Sequence, residues 1–293
     1  MSATLAKGER RLGLWLASPS VVVMAAVTLY PVLYALWLSL QRYTLTAPNE
    51  RGFIGLQNYA TVLTSPLWWQ DLAATAGITL VTVGAELVLG FGFAFVMQRA
   101  VFGRRLVRTA ILVPYAMVTV VSAFAWRFAF EPTVGFVGHW LGTDYNVLAH
   151  PWSAFGLVCL AEIWKTTPFV SLLLLAGLAQ VPAVLDEAAR MDGANAWQRF
   201  FRVTVPNMKA AIAVALLFRT MDGFRIFDSV FVITQGTAHT ETLSFLTYNQ
   251  LLNRLDLGLG SAVAVLMFLC MAGVAFGFLR GFKLGLTPKA GAS

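Results

Sequence analysis

The sequence predicts an all-α membrane protein with six transmembrane helices, and three observations support that prediction. Only 12% of the 293 residues are charged and 58% are hydrophobic, whereas soluble domains carry about 25% charged residues. Six stretches are apolar over the roughly 20 residues that a helix needs to cross a bilayer. The loops between them are alternately rich and poor in lysine and arginine. We therefore treat residues 1–293 as a single transmembrane domain.

The first of the six spans begins like a signal peptide but is too long to be one. It follows Lys7, Arg10 and Arg11. A signal peptide has an apolar core of about 7–15 residues before a small-residue cleavage site, and this run is longer and lacks such a site. We therefore expect a retained first helix. The predicted spans cover approximately residues 14–40, 72–97, 109–130, 153–179, 211–234 and 259–280.

The loop charges predict the orientation of the chain. One set of loops carries 14 basic residues, namely Lys7, Arg10, Arg11, Arg99, Arg104, Arg105, Arg108, Arg190, Arg199, Arg202, Lys209, Arg280, Lys283 and Lys289. The opposite set carries three, Arg42, Arg51 and Arg254. Because cytoplasmic loops carry the excess of basic residues, both termini are expected in the cytoplasm of a multi-pass cytoplasmic-membrane protein. The net charge of +7 is then explained by orientation in the lipid bilayer and indicates no nucleic-acid partner.

The loops expected outside are rich in aromatic residues. Such rings often form a belt at the headgroups, and contact with an external partner is the alternative. The aromatic residues in question are Trp68, Trp69, Trp140, Tyr145, Trp152 and Tyr248.

Charged residues inside the fifth span suggest a polar function, because such residues are costly in lipid. Arg219, Asp222, Arg225 and Asp228 are spaced by three and alternate in sign. On one continuous helix they form a slanting stripe of neighbours. This stripe can neutralise itself and let the helix line a bundle interior or a wet cavity, and, compatibly with this, some of its members can line a polar pathway or pair with a partner helix.

The fourth span combines charge, hydroxyl groups and an aromatic ring. Glu162 and Lys165 have a spacing at which opposite charges can pair, and Trp164, Thr167 and Pro168 lie beside them. Proline can bend a helix and free backbone carbonyls. The alternatives are a polar, kinked cavity wall suited to a sugar, or packing with an internal ion pair.

The substrate-pathway candidates come from these two spans. Glu86 has no evident partner in the sequence, and Arg127 can extend to the membrane surface. The candidates are Trp164, Lys165, Thr167, Arg219, Asp222 and Asp228.

The sequence contains no recognisable catalytic motif. Zinc-protease, serine-hydrolase and phosphate-loop patterns are absent, and Cys159 and Cys270 lie in apolar runs without a Cys/His cluster. We therefore predict a non-enzymatic chain with no catalytic residues, no metal and no cofactor of its own. Any ATP that drives it must be bound by another polypeptide.

Residues 182–208, here called the interrupted segment, read as two short amphipathic helices joined at Gly193. Glycine can adopt the backbone angles that end one helix and redirect the next. The two helices either lie on the membrane surface or dock into the groove of a cytosolic partner. The apolar positions are Leu185, Ala188 and Ala189 in the first helix and Trp197, Phe200 and Phe201 in the second.

This segment resembles the EAA motif of permease subunits in binding-protein-dependent ABC importers. The motif reads E-A-A, three residues, glycine, nine residues, then I-x-L-P. Here it is Glu187-Ala188-Ala189, Gly193 and Val203-Thr204-Val205-Pro206, with valine at both aliphatic positions. It lies between the fourth and fifth spans, as in the family.

The resemblance extends over most of the chain. Tyr30-Pro31, Phe53-Ile54-Gly55-Leu56-Gln57-Asn58-Tyr59 and the run from Glu162 to Phe169 are similar to the MalF-type, sugar-importing branch of this family. With Leu217-Phe218-Arg219-Thr220-Met221-Asp222 and Arg225-Ile226-Phe227-Asp228, the chain looks closest to the permease of actinobacterial trehalose importers.

The resemblance implies a type I ABC importer permease fold and an ATP-driven importer of trehalose or a related disaccharide. It implies a second EAA-type permease, an ABC ATPase dimer that binds ATP and Mg, and an extracytoplasmic sugar-binding protein. The aromatic residues after Gly193 are expected to pack the segment against the spans. The implied ATPase-coupling residues are Glu187, Ala188, Ala189, Asp192, Gly193 and Ala194.

Three alternatives remain open at this point. The chain could be an ABC permease for another solute, such as a glycerophosphodiester. It could be an ATP-independent secondary transporter driven by protons through Glu86, Glu162 or Asp222. A membrane-embedded enzyme is disfavoured because no catalytic constellation is present.

Overall fold

The computed structural model describes residues 2–99, 103–141 and 146–281, and these are almost entirely helical. The helices are α1 Ser2–Ser39, α2 Gln57–Thr64, α3 Pro66–Arg99, α4 Arg104–Ala116, α5 Thr119–Ala129, α6 Phe136–Leu141, α7 Pro151–Leu178, α8 Ala183–Met191, α9 Ala196–Arg199, α10 Val205–Asn207, α11 Lys209–Phe224, α12 Asp228–Ile233, α13 Leu243–Tyr248 and α14 Leu257–Gly281. Two π-helical segments, Phe200–Thr204 and Asn249–Asn253, two 3-10 helices, Pro48–Glu50 and Val147–Ala149, and a short hairpin of β1 Gln41–Arg42 and β2 Gly52–Phe53 complete the described elements.

Four of these helices are long and apolar enough to cross a membrane, and two bent pairs raise the number to six. The single helices are Ser18–Ser39, Pro66–Arg99, Pro151–Leu178 and Leu257–Gly281. The bent pairs are Arg105–Ala116 with Thr119–Ala129, at 89°, and Ala196–Asn207 with Lys209–Phe224, at 74°. The predicted all-α class with up to six spans is therefore confirmed.

The third and fifth predicted spans differ from straight helices. Met117 and Val118 have extended backbone angles and separate α4 from α5, so the stretch predicted as 109–130 is bent. The stretch predicted as 211–234 ends its helix at Phe224, and α12 begins again at Asp228. Hydrophobicity predicted the apolar stretches, but it could not predict where the helical backbone breaks within them.

The chain divides into two compact units, of which the first comprises residues up to 64 together with 247–266. The β1–β2 hairpin is held by Asn58, whose Nδ2 donates to the carbonyl oxygens of Ser39 and Gln41 at 2.9 and 2.8 Å. Gly258 lies so close to the same strand that a Cβ atom there would be 2.2 Å from the Gln41 carbonyl oxygen. Most large side chains of α1 between residues 15 and 37 are exposed.

The second unit comprises residues 65–246 and the described residues from 267 onward, and its centre is formed by α3, α7 and α11. Two glycines allow these helices to approach closely. A Cβ atom at Gly177 of α7 would lie 2.5 Å from Ala211 of α11, and one at Gly223 of α11 would lie 2.9 Å from Thr79 of α3. Small residues let membrane helices pack backbone to backbone. This packing brings the charged residues of the three helices together.

Candidate functional site

A buried ion cluster connects α3, α7 and α11 through Arg219. The Arg219 guanidinium donates from Nε to Glu86 Oε2 at 2.5 Å and from Nη2 to Glu86 Oε1 at 3.0 Å. The same Nη2 donates to Glu162 Oε2 at 3.1 Å. The guanidinium fork suits this two-point contact with a carboxylate. One arginine on α11 therefore joins a carboxylate on α3 and another on α7.

Hydroxyl groups and a third carboxylate complete the cluster. Thr166 Oγ1 donates to Glu86 Oε1 at 2.7 Å, and Ser229 Oγ donates to Glu162 Oε1. Arg219 Nη1 also donates to Asp222 Oδ2 at 2.9 Å. With every acid ionised, one arginine against three carboxylates gives a formal charge of −2. Buried charges are retained only where partners satisfy them in this way.

This arrangement replaces the charge stripe expected along the fifth span. Because α11 ends at Phe224 and Arg225 lies at its C-terminal cap, the four charges do not share one helix. Asp228 begins α12 and is exposed. Glu162 binds Arg219 and Ser229 and not Lys165, with which its spacing allowed an ion pair. Lys165 Nζ instead lies 5.8 Å from the centre of the Tyr115 ring.

The six substrate-pathway candidates do not form one set of contacts. Arg219 and Asp222 bind each other, whereas Trp164 is partly exposed and meets Trp126 edge-on at 5.9 Å. Thr167 is buried, and its hydroxyl donates to the Ile163 carbonyl oxygen of its own helix at 2.5 Å. A substrate pathway through these residues stays a prediction.

Four residues of the cluster were not among the predicted site residues, namely Glu86, Glu162, Thr166 and Ser229. Glu86 is 133 residues from Arg219 in sequence, so helical spacing could not reveal the pair. The available signal was a carboxyl group deep in an apolar span, which needs a partner on another helix. Arg127, which was expected to reach the membrane surface, donates to the Val232 carbonyl oxygen at 2.9 Å.

The interrupted segment contains two helices that are separated by a glycine turn, as the sequence predicts. Helix α8 ends at Met191, and Gly193 follows with a φ of +78°. Asn195 then caps α9 by accepting from Gln198 N at 2.9 Å, while the Gln198 side chain accepts from Asn195 N. The positive φ favours glycine at this position, and the reciprocal cap fixes the start of the next helix.

Asp186 joins the two helices across this turn. Its Oδ1 accepts from Arg199 Nε at 2.9 Å, and its Oδ2 accepts from Arg190 Nε at 3.0 Å. Arg199 Nη1 also donates to the Ala194 carbonyl oxygen at 3.1 Å. Slight desolvation opposes ionisation, but the two arginines hold the pKa of Asp186 below its ordinary value. The segment is therefore held in shape by its own polar groups.

The aromatic residues after Gly193 divide between the protein interior and the surface. Phe200 packs edge-on against Phe91 and Phe95 of α3, at 5.2 and 5.8 Å between ring centres. Trp197 and Phe201 stack on each other at 5.7 Å and remain exposed. The expectation that these aromatics pack against the spans thus holds for Phe200 and is wrong for the other two.

The predicted coupling residues lie at the surface of this segment. Glu187, Ala188, Asp192 and Gly193 are exposed, whereas Ala189 and Ala194 are half-buried. Glu187 also lines a cavity of about 430 Å³ with residues of α3 and α9. The uncovered apolar side chains nearby are Val184, Leu185, Met191, Trp197 and Phe201.

Comparisons with known proteins agree with this architecture. Residues 86–283 match the family model described as "Binding-protein-dependent transport system inner membrane component". The chain is 51% identical over 274 residues, 94% of its length and 89% of the relative's, to the trehalose transport system permease protein SugA of Mycobacterium tuberculosis strain H37Rv. It is 35% identical over 286 residues, 96% of both chains, to the trehalose/maltose transport system permease protein MalF of Thermococcus litoralis.

Solved structures show the same fold. A bacterial ABC transporter involved in the import of the acidic polysaccharide alginate superposes with a TM-score of 0.79 at 19% identity. That match covers 97% of this chain and 100% of the other. The alginate transporter in complex with an alginate pentasaccharide-bound periplasmic protein superposes with a TM-score of 0.77 at 20% identity, over 93% and 94% of the two chains.

Proposed function

The chain belongs to the family of binding-protein-dependent transport system inner membrane components, and on this premise we propose that it is a permease subunit of an ATP-driven importer of trehalose or a related disaccharide. The substrate assignment is supported by the names of its relatives in Mycobacterium tuberculosis and Thermococcus litoralis, both of which include trehalose. The permease forms half of the translocation pathway, and another chain hydrolyses ATP.

The observation that carries this proposal is the surface of the interrupted segment. Its polar groups bind each other through Asp186, Arg190 and Arg199, so they do not require a partner. Its apolar residues Met191 and Trp197 are 89% and 72% exposed. A preformed helix pair with uncovered apolar side chains fits the groove of a partner protein. We assign that partner as the ATPase, with Glu187, Ala188, Ala189, Asp192, Gly193 and Ala194 as the coupling residues.

Movement of the segment transmits the ATPase cycle to the helices. The segment continues through the π-helical turn Phe200–Thr204 into α11, which carries Arg219. Phe200 also connects it to α3. A displacement of the segment therefore acts on two of the three helices of the ion cluster. The ATPase can shift the transporter between states only if it binds the segment differently in each.

The complete importer requires further partners. Most large apolar side chains of α1 between residues 15 and 37 are exposed, and only 6% of the residues in the apolar window of Ser18–Ser39 are buried, against 61% for Pro151–Leu178. Lipid and a second EAA-type permease would cover this surface. The alginate transporter complex supports an extracytoplasmic sugar-binding protein as the receptor. The ATPase dimer supplies the sites for ATP and Mg, and the excess of basic residues in one set of loops supports a cytoplasmic position for both termini.

The ion cluster favours a neutral substrate over an anionic one. With every acid ionised its formal charge is −2, and the Asp222 side chain is largely exposed. A glycerophosphodiester would be repelled from that side of the cluster.

The proposal is tested with the assembled transporter in liposomes. The second permease and the ATPase are sought among the genes adjoining this one and purified with it. We expect trehalose, presented by its receptor, to stimulate ATP hydrolysis more than other members of a sugar panel. If no disaccharide stimulated hydrolysis, the sugar assignment would be wrong. Uptake by the purified chain alone, without ATP, would contradict the importer mechanism itself.

A further inference from the structure

A second cavity lies at the opposite end of α3 from the interrupted segment. It is open to the surface, has a volume of about 630 Å³ and is lined by the first turns of α3, the first turns of α7 and the loop between α12 and α13. Its polar lining consists of Gln70, Asp71, His239 and Glu241, and its aromatic lining of Trp152 and Phe155. The loop charges predict this end of the chain to be extracytoplasmic.

The surroundings of Asp71 indicate that the cavity binds a ligand. Its side chain is only 3% exposed, and Oδ2 has no hydrogen-bond partner among the described residues. The neighbouring hydroxyl of Thr75 donates to the Asp71 carbonyl oxygen at 2.7 Å and is therefore already engaged. A buried acceptor without a donor is destabilising. A ligand that brings a hydroxyl or an N–H group to Oδ2 would remove this cost.

The remaining lining indicates the chemical class of that ligand. Glu241 adds a second carboxylate that repels Asp71, while Gln70 and His239 add side chains that can both donate and accept. Trp152, whose side chain is 86% exposed, stands edge-on to Phe155 at 6.5 Å. A sugar ring meets all of these groups, since its hydroxyls donate to carboxylates and its C–H face stacks on an aromatic ring.

The wall of this cavity is also conformationally strained. Ala238 and His239 have φ values of 54° and 57°, in the left-handed region that residues other than glycine seldom occupy. Such strain concentrates at ligand sites. A metal ion is a poor match, because the described residues include no group of three or more His, Cys, Asp or Glu side chains able to hold one.

We propose that this cavity is a sugar-binding subsite, in which a pyranose ring stacks on Trp152 while its hydroxyls donate to Asp71 and Glu241. Its volume lies within the roughly 300–1,000 Å³ typical of small-molecule pockets. Asp71 precedes Glu86 by 15 residues on the same helix, or about 22 Å. The subsite therefore lies on the extracytoplasmic side of the ion cluster, where an imported sugar arrives first. This inference rests on the proposed transport of a sugar and adds a holding site within this subunit.

The test measures sugar binding to the full-length chain in lipid nanodiscs by saturation-transfer NMR, with trehalose as the probe. Asp71→Asn and Trp152→Ala are each expected to weaken trehalose binding at least about tenfold. Trp140→Ala is the matched control, because Trp140 is also 86% exposed but does not line the cavity, and binding should be unchanged. Asp71→Asn should also unfold at a temperature no lower than the unsubstituted chain, since it removes a carboxylate that repels Glu241.

Two results would overturn the subsite. One is trehalose binding that is equal in the unsubstituted chain and both cavity variants. The other is binding of free arginine, but not of trehalose, in an Asp71-dependent manner, which would assign the cavity to a cationic group. In the assembled importer, Asp71→Asn should raise KM for trehalose while maximal uptake stays unchanged. If Asp71→Asn left this KM unchanged while trehalose still stimulated ATP hydrolysis, the subsite alone would be refuted. If trehalose also failed to stimulate ATP hydrolysis, the proposed substrate would be refuted as well.

Discussion

Two arginine–carboxylate pairs in this chain differ in their surroundings. Arg219 and Glu86 approach to 2.5 Å with side chains that are 3% and 0% exposed. Arg199 and Asp186 approach to 2.9 Å with side chains that are 21% and 37% exposed. Water can replace the second contact but not the first, so the two pairs have different consequences for the protein.

The buried pair is part of the helix packing, whereas the exposed pair shapes a surface. Removing one member of a buried pair leaves an uncompensated charge, which is strongly destabilising. Removing one member of an exposed pair exposes its partner to solvent at little cost. Stability experiments should therefore report mainly on the ion cluster, and experiments on ATPase association should report mainly on the interrupted segment.

The largest effect on stability is expected from Arg219→Met. It would leave Glu86 and Glu162 buried without their guanidinium partner and lower the free energy of unfolding by about 3–5 kcal/mol. The measurement is unfolding of the purified chain in detergent by titration with a denaturing surfactant. Arg225→Met is the matched control, since Arg225 is exposed at the end of the same helix, and about 0.5 kcal/mol or less is expected there.

The double variant Glu86→Gln/Arg219→Met sharpens this result. It removes one of the two charges that the single variant leaves without a partner, so part of the lost stability should return. Equal stability of Arg219→Met and the unsubstituted chain would show that the cluster does not hold the three helices together.

An intermediate effect is expected from Gly193→Val. The φ of +78° is unfavourable for valine, at a cost of about 1–2 kcal/mol, and no atom lies within 4 Å of the added Cβ. The strain should therefore change the turn between α8 and α9. We expect reduced coupling of transport to ATP hydrolysis, measured as sugar taken up per ATP hydrolysed.

Gly193→Asn provides the control for this variant, because asparagine tolerates left-handed backbone angles. It should retain most of the coupling. Gly193→Pro should be worse than valine, since proline also removes the N–H group that donates to the Arg190 carbonyl oxygen at 3.0 Å. Normal uptake and ATPase co-purification with Gly193→Pro would contradict the assignment of this turn.

A smaller effect is expected from Asp186→Asn, at about 0.2–1 kcal/mol because the pair is largely exposed. The depressed pKa of Asp186 predicts the pH dependence. The ionised carboxylate contributes its stability above its ordinary pKa of 3.8, and that contribution is lost as the pH falls through the lower pKa of the folded chain. Melting temperatures between pH 3 and pH 7, about the range that spans the ordinary carboxyl pKa, should converge for the two chains only at the acid end.

The smallest effect on stability is expected from Trp197→Ser. The exposed Trp197 ring buries little surface in the isolated chain, so the free energy of unfolding should change by about 0.5 kcal/mol or less. Association with the ATPase should nevertheless weaken, because Trp197 belongs to the uncovered apolar surface. The measurement is ATPase retention during co-purification. Phe200→Ser, at the neighbouring half-buried ring that packs against α3, should instead destabilise the chain itself, and a reversal of this pattern would refute the division between the two rings.

Sequence patterns predicted the interrupted segment better than the ion cluster. The helices on either side of Gly193, the turn and the surface position of Glu187 follow from residues that are close in the chain. The ion pair of Asp186 and Arg199 spans only 13 residues, yet it depends on the direction that α9 takes after the turn. Spacing alone could not supply that direction.

The charge stripe of the fifth span failed as a prediction for a related reason. A spacing of three predicts neighbours only while the helix continues, and the helix ends at Phe224. Apolar composition continues across this break, because the residues after it also pack in the protein interior. Ile226 and Val230, for example, are buried. Hydrophobicity therefore could not reveal where the backbone changes direction.

The sequence by itself determined the membrane class, the apolar stretches and the EAA-type segment, because each depends on composition or on residues within a few helical turns. Tertiary structure decided which charges meet. Arg219 joins Glu86 and Glu162 only because Gly177 and Gly223 allow α3, α7 and α11 to approach closely. Likewise, Phe200 turns inward while Trp197 stays exposed, because the direction of α9 after Gly193 sets which ring faces α3.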